Sequence, residues 1–407
     1  MKCKKILYYL ILIFFSFYIF STPYFSNREP FNILVYGIFA FLSFFVIAYR
    51  FLYFKSKRIN FRIFLLPSFA LFSSIGTIFF SHEFRYFLTV VLLSLSFVVL
   101  YFMFEEINNV RLILKLTIYS LLIFVFLFVL HYRKEIFDFK NLGNNRLAVD
   151  NYFDNVNAIA YYFAGCCILC LYCALYFKKK IELIYLLPFA ICFFLGVLTA
   201  SRAFLIGVTC ASLVIFVVKF FKKPYILIPG LVILTIAIVL LFTLPAFENL
   251  KKRIIDMFNM ITGSAYSTDY STATRILWQE YAAYLGSKRM FIGNGLNGFA
   301  VFSGTGTYSH ANFAELLCDV GLIGLLLYYS VFFVSFYDLV KKKFEFAPLT
   351  ATLLVFLIVR EFLSVAYTSK FNAFIFALII YAGSTGVYRV KKEVKMNNSA
   401  YYCAIEI

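Results

Sequence analysis

Thr274–Gly324 reads TRILWQEYAAYLGSKRMFIGNGLNGFAVFSGTGTYSHANFAELLCDVGLIG. It holds the only tryptophan of the chain, Trp278, and one of its three histidines, His310, among polar residues and Gly turns. Long apolar runs lie on both sides of it. A polar, Gly-rich stretch between greasy helices is where a membrane protein usually keeps its chemistry. The composition agrees with that setting. The chain has 407 residues, 63% hydrophobic and 14% charged, with a mean hydropathy of +0.87. A soluble domain is about half apolar and about a quarter charged. The expected fold is therefore all-α: a polytopic integral membrane protein with one large outer loop that contains short helices.

Apolar runs of about 16–25 residues, separated by polar breaks, predict about twelve spans. They fall near 6–21, 31–54, 63–80, 86–104, 112–130, 156–177, 183–200, 203–218, 225–244, 312–338, 347–366 and 371–388. The resulting organisation is nine membrane helices over 1–244, a loop over 245–309, three more helices over 310–395, and a tail over 396–407. The N-terminal KCKK and the apolar run after it read as a first span with its basic end inside, because no small-residue cleavage site follows.

The net charge of +18 has its explanation in topology. Cytoplasmic loops collect Lys and Arg. An even number of spans puts both termini on one side, and that side holds the short breaks KSKR, KKK, KFFKK, KKK and RVKKEVK, with about 23 of the 38 basic residues. The termini and these breaks are expected in the cytoplasm, and loops 131–155 and 245–309 outside. Cys166, Cys167, Cys170 and Cys173 lie in one apolar run and read as packed thiols.

Within the large loop, Phe247, Leu250, Ile254, Phe258 and Ile261 recur at helical spacing, which predicts an amphipathic surface helix. A second helix starts near Thr274, with Ile276, Leu277, Tyr281 and Tyr284 on its apolar side.

Few residues could carry chemistry. Ser201–Arg202 sits in the short turn TASR between two short spans, at or below the outer headgroup level. Arg202 is either a snorkelling anchor or a guanidinium lining an outward polar cavity, where its planar fork suits phosphate. Arg275 stands three residues before Trp278 and by itself is a surface charge. Near neutral pH the His310 imidazole can take a proton from a hydroxyl; a lone histidine at a helix entry is more often a cap or a solvated residue. His82 and His131 sit in outer turns and read as ordinary solvated histidines. Arg360–Glu361 lies inside a span, as a buried ion pair or as a further positive group on the outer cavity. GNGLNG lacks the spacing of a dinucleotide fingerprint, and no Walker, HExxH or EF-hand motif is present.

Together these features resemble the O-antigen ligase and polymerase family of polysaccharide assembly proteins. LTASRAFLIG resembles the family's short-loop Ser-Arg motif. TRILWQEYAAYLGSKRMFIGNGLNGF resembles its Arg-x-x-Trp helix and Gly-x-Gly turn. SHANFAELLCDVGLIG resembles its His-Asn motif with Gly-x-x-Gly, although here Ala311 separates His310 from Asn312. The resemblance is best over about 183–340. It implies a glycosyltransferase of the bacterial cytoplasmic membrane that joins oligosaccharide repeats carried on undecaprenyl diphosphate, for a capsule, exopolysaccharide or O-antigen. A ligase that passes the glycan to a lipid or protein acceptor is the alternative, and a flippase of lipid-linked sugars a third. It further implies that Arg202 and Arg275 grip the diphosphate and that His310 is the base, with Ser201, Trp278 and Asn312 in support; Arg360, outside the resembling stretch, is a supporting candidate from its place inside a span. The active site would be extracytoplasmic. No metal and no cofactor are implied; the partners would be the lipid-linked oligosaccharide, membrane lipid and other polysaccharide assembly proteins.

Overall fold

The computed structural model describes residues 2–24, 60–137, 155–178, 181–243, 248–261 and 270–384. The expected span near 31–54, most of loop 131–155 and the tail 396–407 lie outside them. Among the described residues every regular element is helical and no strand occurs. This follows from solvent: backbone polar groups in hydrocarbon must be satisfied within the segment, and a helix does so.

In chain order the helices are α1 (Lys2–Tyr24), α2 (Leu65–Gly76), α3 (Phe84–Ile107), α4 (Val110–His131), α5 (Val156–Tyr176), α6 (Leu186–Leu198), α7 (Arg202–Phe220), α8 (Pro224–Thr243), α9 (Glu248–Ile261), α10 (Tyr270–Ser287), α11 (Gly298–Ser303), α12 (Asn312–Lys341), α13 (Ala347–Leu363) and α14 (Lys370–Ser384). Among the described residues six helices are long and apolar enough to cross a membrane, against the twelve or so expected: Phe61–Ser81, which contains α2, and α3, α4, α5, α7 and α12. Three apolar segments, Tyr8–Tyr24, Leu183–Leu198 and Lys370–Ser384, are shorter. Composition alone could not show which runs coil for their full length.

Local signals set the helix ends. Asn109, Asn155 and Ser201 cap α4, α5 and α7 by accepting backbone N–H bonds from Leu112, Ala158 and Phe204. His82, at φ +56°, closes the turn before α3. Helix α5 is the axis of the bundle. Its residues Ile159 to Leu175 are all buried, the four cysteines among them, against α4, α6 and α7. Among the described residues no three His, Cys, Asp or Glu side chains are grouped to hold a metal ion.

The hairpin order gives the bundle two unlike ends. One carries Lys178, Lys222, Lys223, Lys341, Lys342 and Lys343, with the ion pairs Lys178–Glu182 at 3.2 Å, Arg111–Glu345 at 3.3 Å and Lys342–Asp338 at 2.6 Å. Arg62 also pairs with Asp338 there. The other gathers the start of α5, the α6–α7 turn, the start of α12 and the end of α13.

Helix α12 is broken at Gly321, where φ is +63° and ψ −169°. The fold-back is large. Asn312 donates to one oxygen of Glu361, and the Tyr328 hydroxyl donates to the other at 3.2 Å. In a straight helix residues so far apart would lie about 24 Å from each other. The break leaves backbone groups without helical partners, and the stretch Met290–Gly295 supplies them. Leu322 N donates to Met290 O at 2.7 Å and Ile323 N to Phe291 O at 3.3 Å, while Asn294 N and Gly295 N donate to the carbonyls of Cys318 and Asp319 at 2.8 and 2.7 Å. The Asp319 carboxylate then accepts Asn297 N and Phe299 N, both at 3.0 Å, and the Tyr367 hydroxyl at 2.9 Å. GNGLNG is thus a strap that re-satisfies a broken helix.

A strap so close leaves no room for side chains. A Cβ on Gly293, at φ +77°, would run into the Asp319 carbonyl. Gly304 has a similar φ of +70° but open space around it. Gly293→Ala is expected to lower the thermal unfolding midpoint of the detergent-solubilised protein well beyond Gly304→Ala. The latter carries only the left-handed backbone cost, about 1–2 kcal/mol. Equal midpoints for the two variants would refute the strap.

Candidate active site

The turn between α6 and α7 is tight. Ala200 takes φ +49°, an unusual value for a residue with a Cβ. Ser201 follows as the helix cap, and Arg202 is the first residue of α7, only 7% exposed. Its guanidinium is therefore held at the end of the bundle instead of reaching freely into solvent.

Arg202 lines a cavity of about 310 Å³. Ser201, Arg275, His310 and Arg360 line it too, together with Asn155, Asn157, Tyr161, Gln279 and Tyr308. Its apolar wall comes from α7 and α13, including Phe204, Gly207, Phe356 and Leu363. Three guanidiniums and one imidazole, far apart in sequence, thus share one space. Among the described residues no carboxylate belongs to its lining. Such a space favours an anion, and guanidinium forks favour phosphate or carboxylate oxygens.

His310 is fixed by its neighbours. Its backbone takes φ +68°. Trp278 stacks on the imidazole, with ring centroids 5.5 Å apart and planes 5° apart, and Tyr308 meets it edge-on at 4.4 Å. Glu315, buried in the first turn of α12, accepts the N–H of the preceding Ser309 at 2.6 Å. Burial first, and the Arg275 charge second, hold the imidazole pKa down at about 4, from the usual 6.5. The ring is therefore neutral at physiological pH and keeps a lone pair for a proton.

Residues 187–329 match the family model described as O-antigen ligase. Over this segment the chain is similar to the O-antigen ligase family. No curated protein matches the chain. The family implies ligase- or polymerase-type transfer of glycans by a membrane enzyme acting on lipid-linked oligosaccharides. Arg202, Arg275 and His310 all fall inside the O-antigen ligase segment. Arg360, Asn155, Asn157 and Tyr161 fall outside it and complete the same cavity.

The other residues singled out from sequence divide. Arg360 stands on the wall, donating to Ser369 Oγ at 2.9 Å and Asn372 Oδ1 at 2.6 Å, with its guanidinium 3.4 Å from the centre of the Tyr161 ring. It is a cavity cation held in place, not the partner of Glu361. Asn312 is not on the cavity. It is fully buried, donates to Glu361, and accepts the N–H groups of Ala366 and Tyr367 at 2.7 and 2.9 Å. Its place is to tie the start of α12 to the turn after α13. Trp278 serves as the platform for His310.

The inward face of α10 differs from the expected one. Leu277, Tyr281 and Tyr284 are exposed, while Ile276, partly exposed, lines the cavity. Trp278, Ala282 and Leu285 pack instead against Phe299, Ala311, Ala314 and Cys318. Small residues at this contact let α10 approach α12 closely, which large ones would prevent. The helix starts at Tyr270, one turn earlier than expected. The amphipathic surface helix is α9, whose Ile254 is buried; Phe247 lies outside the described residues, as do the side chains of Leu250, Phe258 and Ile261.

Six polar lining residues were not singled out from sequence: Asn155, Asn157, Tyr161, Gln279, Tyr308 and Ser364. Gln279 follows Arg275 by one turn, and that spacing places it on the same helix face. It was the one available signal.

Proposed function

We propose that this protein polymerises oligosaccharide repeats carried on undecaprenyl diphosphate, at the outer face of the cytoplasmic membrane. The observation that carries this reading is the gathering of Arg202, Arg275, Arg360 and His310 around one cavity. The acceptor hydroxyl gives its proton to His310 and attacks the anomeric carbon of the donor sugar. The bond from that carbon to the diphosphate oxygen breaks as the new glycosidic bond forms. Negative charge grows on the leaving diphosphate, and prepositioned guanidiniums in a poorly solvated site stabilise it. Arg202 and Arg275 grip the diphosphate, and Arg360 adds positive potential from the wall. The lysine-rich ends of the helices lie opposite the cavity, which supports an outward-facing site by the positive-inside rule.

The description of the matched family as O-antigen ligase favours a second reading, transfer of a finished glycan to a lipid or protein acceptor. Purified protein in vesicles with a lipid-linked repeat unit separates the two. A ladder of products on the carrier means polymerase. Transfer only after a separate acceptor is added means ligase. No new glycosidic bond under either condition overturns both.

The depressed pKa of His310 has a consequence for pH. The proton binds the unfolded chain near 6.5 and the folded chain near 4, so folded-state stability is lost as pH falls through that window. In activity the base works while neutral, so kcat/KM should keep its alkaline value well below 6.5 and fall near 4. Arg275→Gln removes the second cause of the shift and should move this acid limb upward, while turnover drops. An acid limb unmoved by Arg275→Gln would separate the two groups.

A further inference from the structure

We propose that Gln279 reads the sugar joined to the diphosphate, forming with Asn157 and Tyr308 a hydroxyl-binding subsite beside the arginines. The proposal rests on the diphosphate reading above and adds a specificity determinant to it. Helix α10 turns one face inward. That face carries Arg275, Trp278, Gln279, Ala282 and Leu285. Trp278, Ala282 and Leu285 fill packing contacts, and the polar residues Arg275 and Gln279 reach the cavity beside the apolar Ile276. Among the described residues the Gln279 side-chain amide has no hydrogen-bond partner. The amide is half-buried and faces the cavity, so a molecule that fills the cavity meets it.

Chemistry identifies that ligand. Arginine only donates hydrogen bonds, whereas a carboxamide presents two N–H donors and an acceptor oxygen. An acceptor oxygen adds nothing to a phosphate oxyanion, which three guanidiniums already face. Sugar hydroxyls both donate and accept, so they match amides and the Tyr308 phenol. Residues four apart on a helix have neighbouring side chains, so Gln279 adjoins whatever Arg275 holds. The group directly attached to a diphosphate in this site is the donor sugar.

Trp278 provides the readout, because it is the only tryptophan and stacks on His310 beside the cavity. Its fluorescence is titrated with undecaprenyl diphosphate, and with undecaprenyl diphosphate bearing glucose, galactose or N-acetylglucosamine. The native protein should bind one glycosylated form more tightly than the bare carrier and rank the three sugars. Gln279→Leu and the closer isostere Gln279→Met should bind the bare carrier as the native protein does. They should lose about three- to tenfold in affinity for the preferred sugar form, as expected for one neutral hydrogen bond, and the ranking should flatten. An unchanged ranking in both variants, with bare carrier still bound, overturns the sugar-reading role alone. Failure of the native protein to bind the bare carrier overturns the diphosphate reading and this proposal with it.

Discussion

His310→Ala is expected to abolish glycosidic bond formation while leaving the donor lipid bound. The imidazole is the cavity group whose neutral form can accept a proton near pH 7, and burial together with Arg275 keeps it neutral. A positioned general base contributes about 10²–10⁴-fold in rate, and turnover in vesicles should fall by that factor. Affinity for undecaprenyl diphosphate should stay within about twofold, since the grip is assigned to the guanidiniums. Folding is not expected to suffer, because the Ser309–Glu315 bond and the Ala282–Ala314 packing do not involve the imidazole. Normal polymer from the variant would remove His310 from the mechanism.

Arg202→Lys should be nearly as damaging, although it conserves charge. Arg202 is buried at the first position of α7, behind a capped turn with a strained Ala200. That frame sets the direction of a planar fork, which can give two parallel bonds to phosphate oxygens. A lysine offers a flexible point charge in its place. Loss of one charge-assisted hydrogen bond is worth about 1.5–3 kcal/mol, so kcat/KM should fall about 10- to 100-fold. Arg202→Ala should fall further. If Lys restored full activity, charge alone would matter, and the fork geometry would be irrelevant to the site.

Much of this architecture was readable because bilayer helices advertise themselves. The apolar runs expected near 112–130, 156–177 and 203–218 form α4, α5 and α7, which start just after the caps Asn109, Asn155 and Ser201. Arg202 stood out as a charge between two short spans, whereas Arg275 and His310 drew their roles from the family resemblance; all three line one cavity. What was not readable depends on partners. The GNGLNG strap makes sense only against the break at Gly321, and a single chain gives no sign that the two meet. The inward face of α10 was misjudged because large apolar residues look like core. Beside a membrane they can face outward, and Ala282 and Trp278 make the contact instead. Asn312 resembled a catalytic neighbour of His310, yet Ala311 between them sends its side chain to Glu361. Arg360 gained its meaning from Ser369, Asn372 and Tyr161, which hold it on the cavity wall.

The most direct test is an experimental structure of the protein bound to undecaprenyl diphosphate in a lipid disc. The account predicts the diphosphate in the cavity at the start of α7, within hydrogen-bonding distance of Arg202 and Arg275 and beside His310. A diphosphate bound at the lysine-rich end near Lys341 and Lys342, or elsewhere with this cavity vacant, would contradict it.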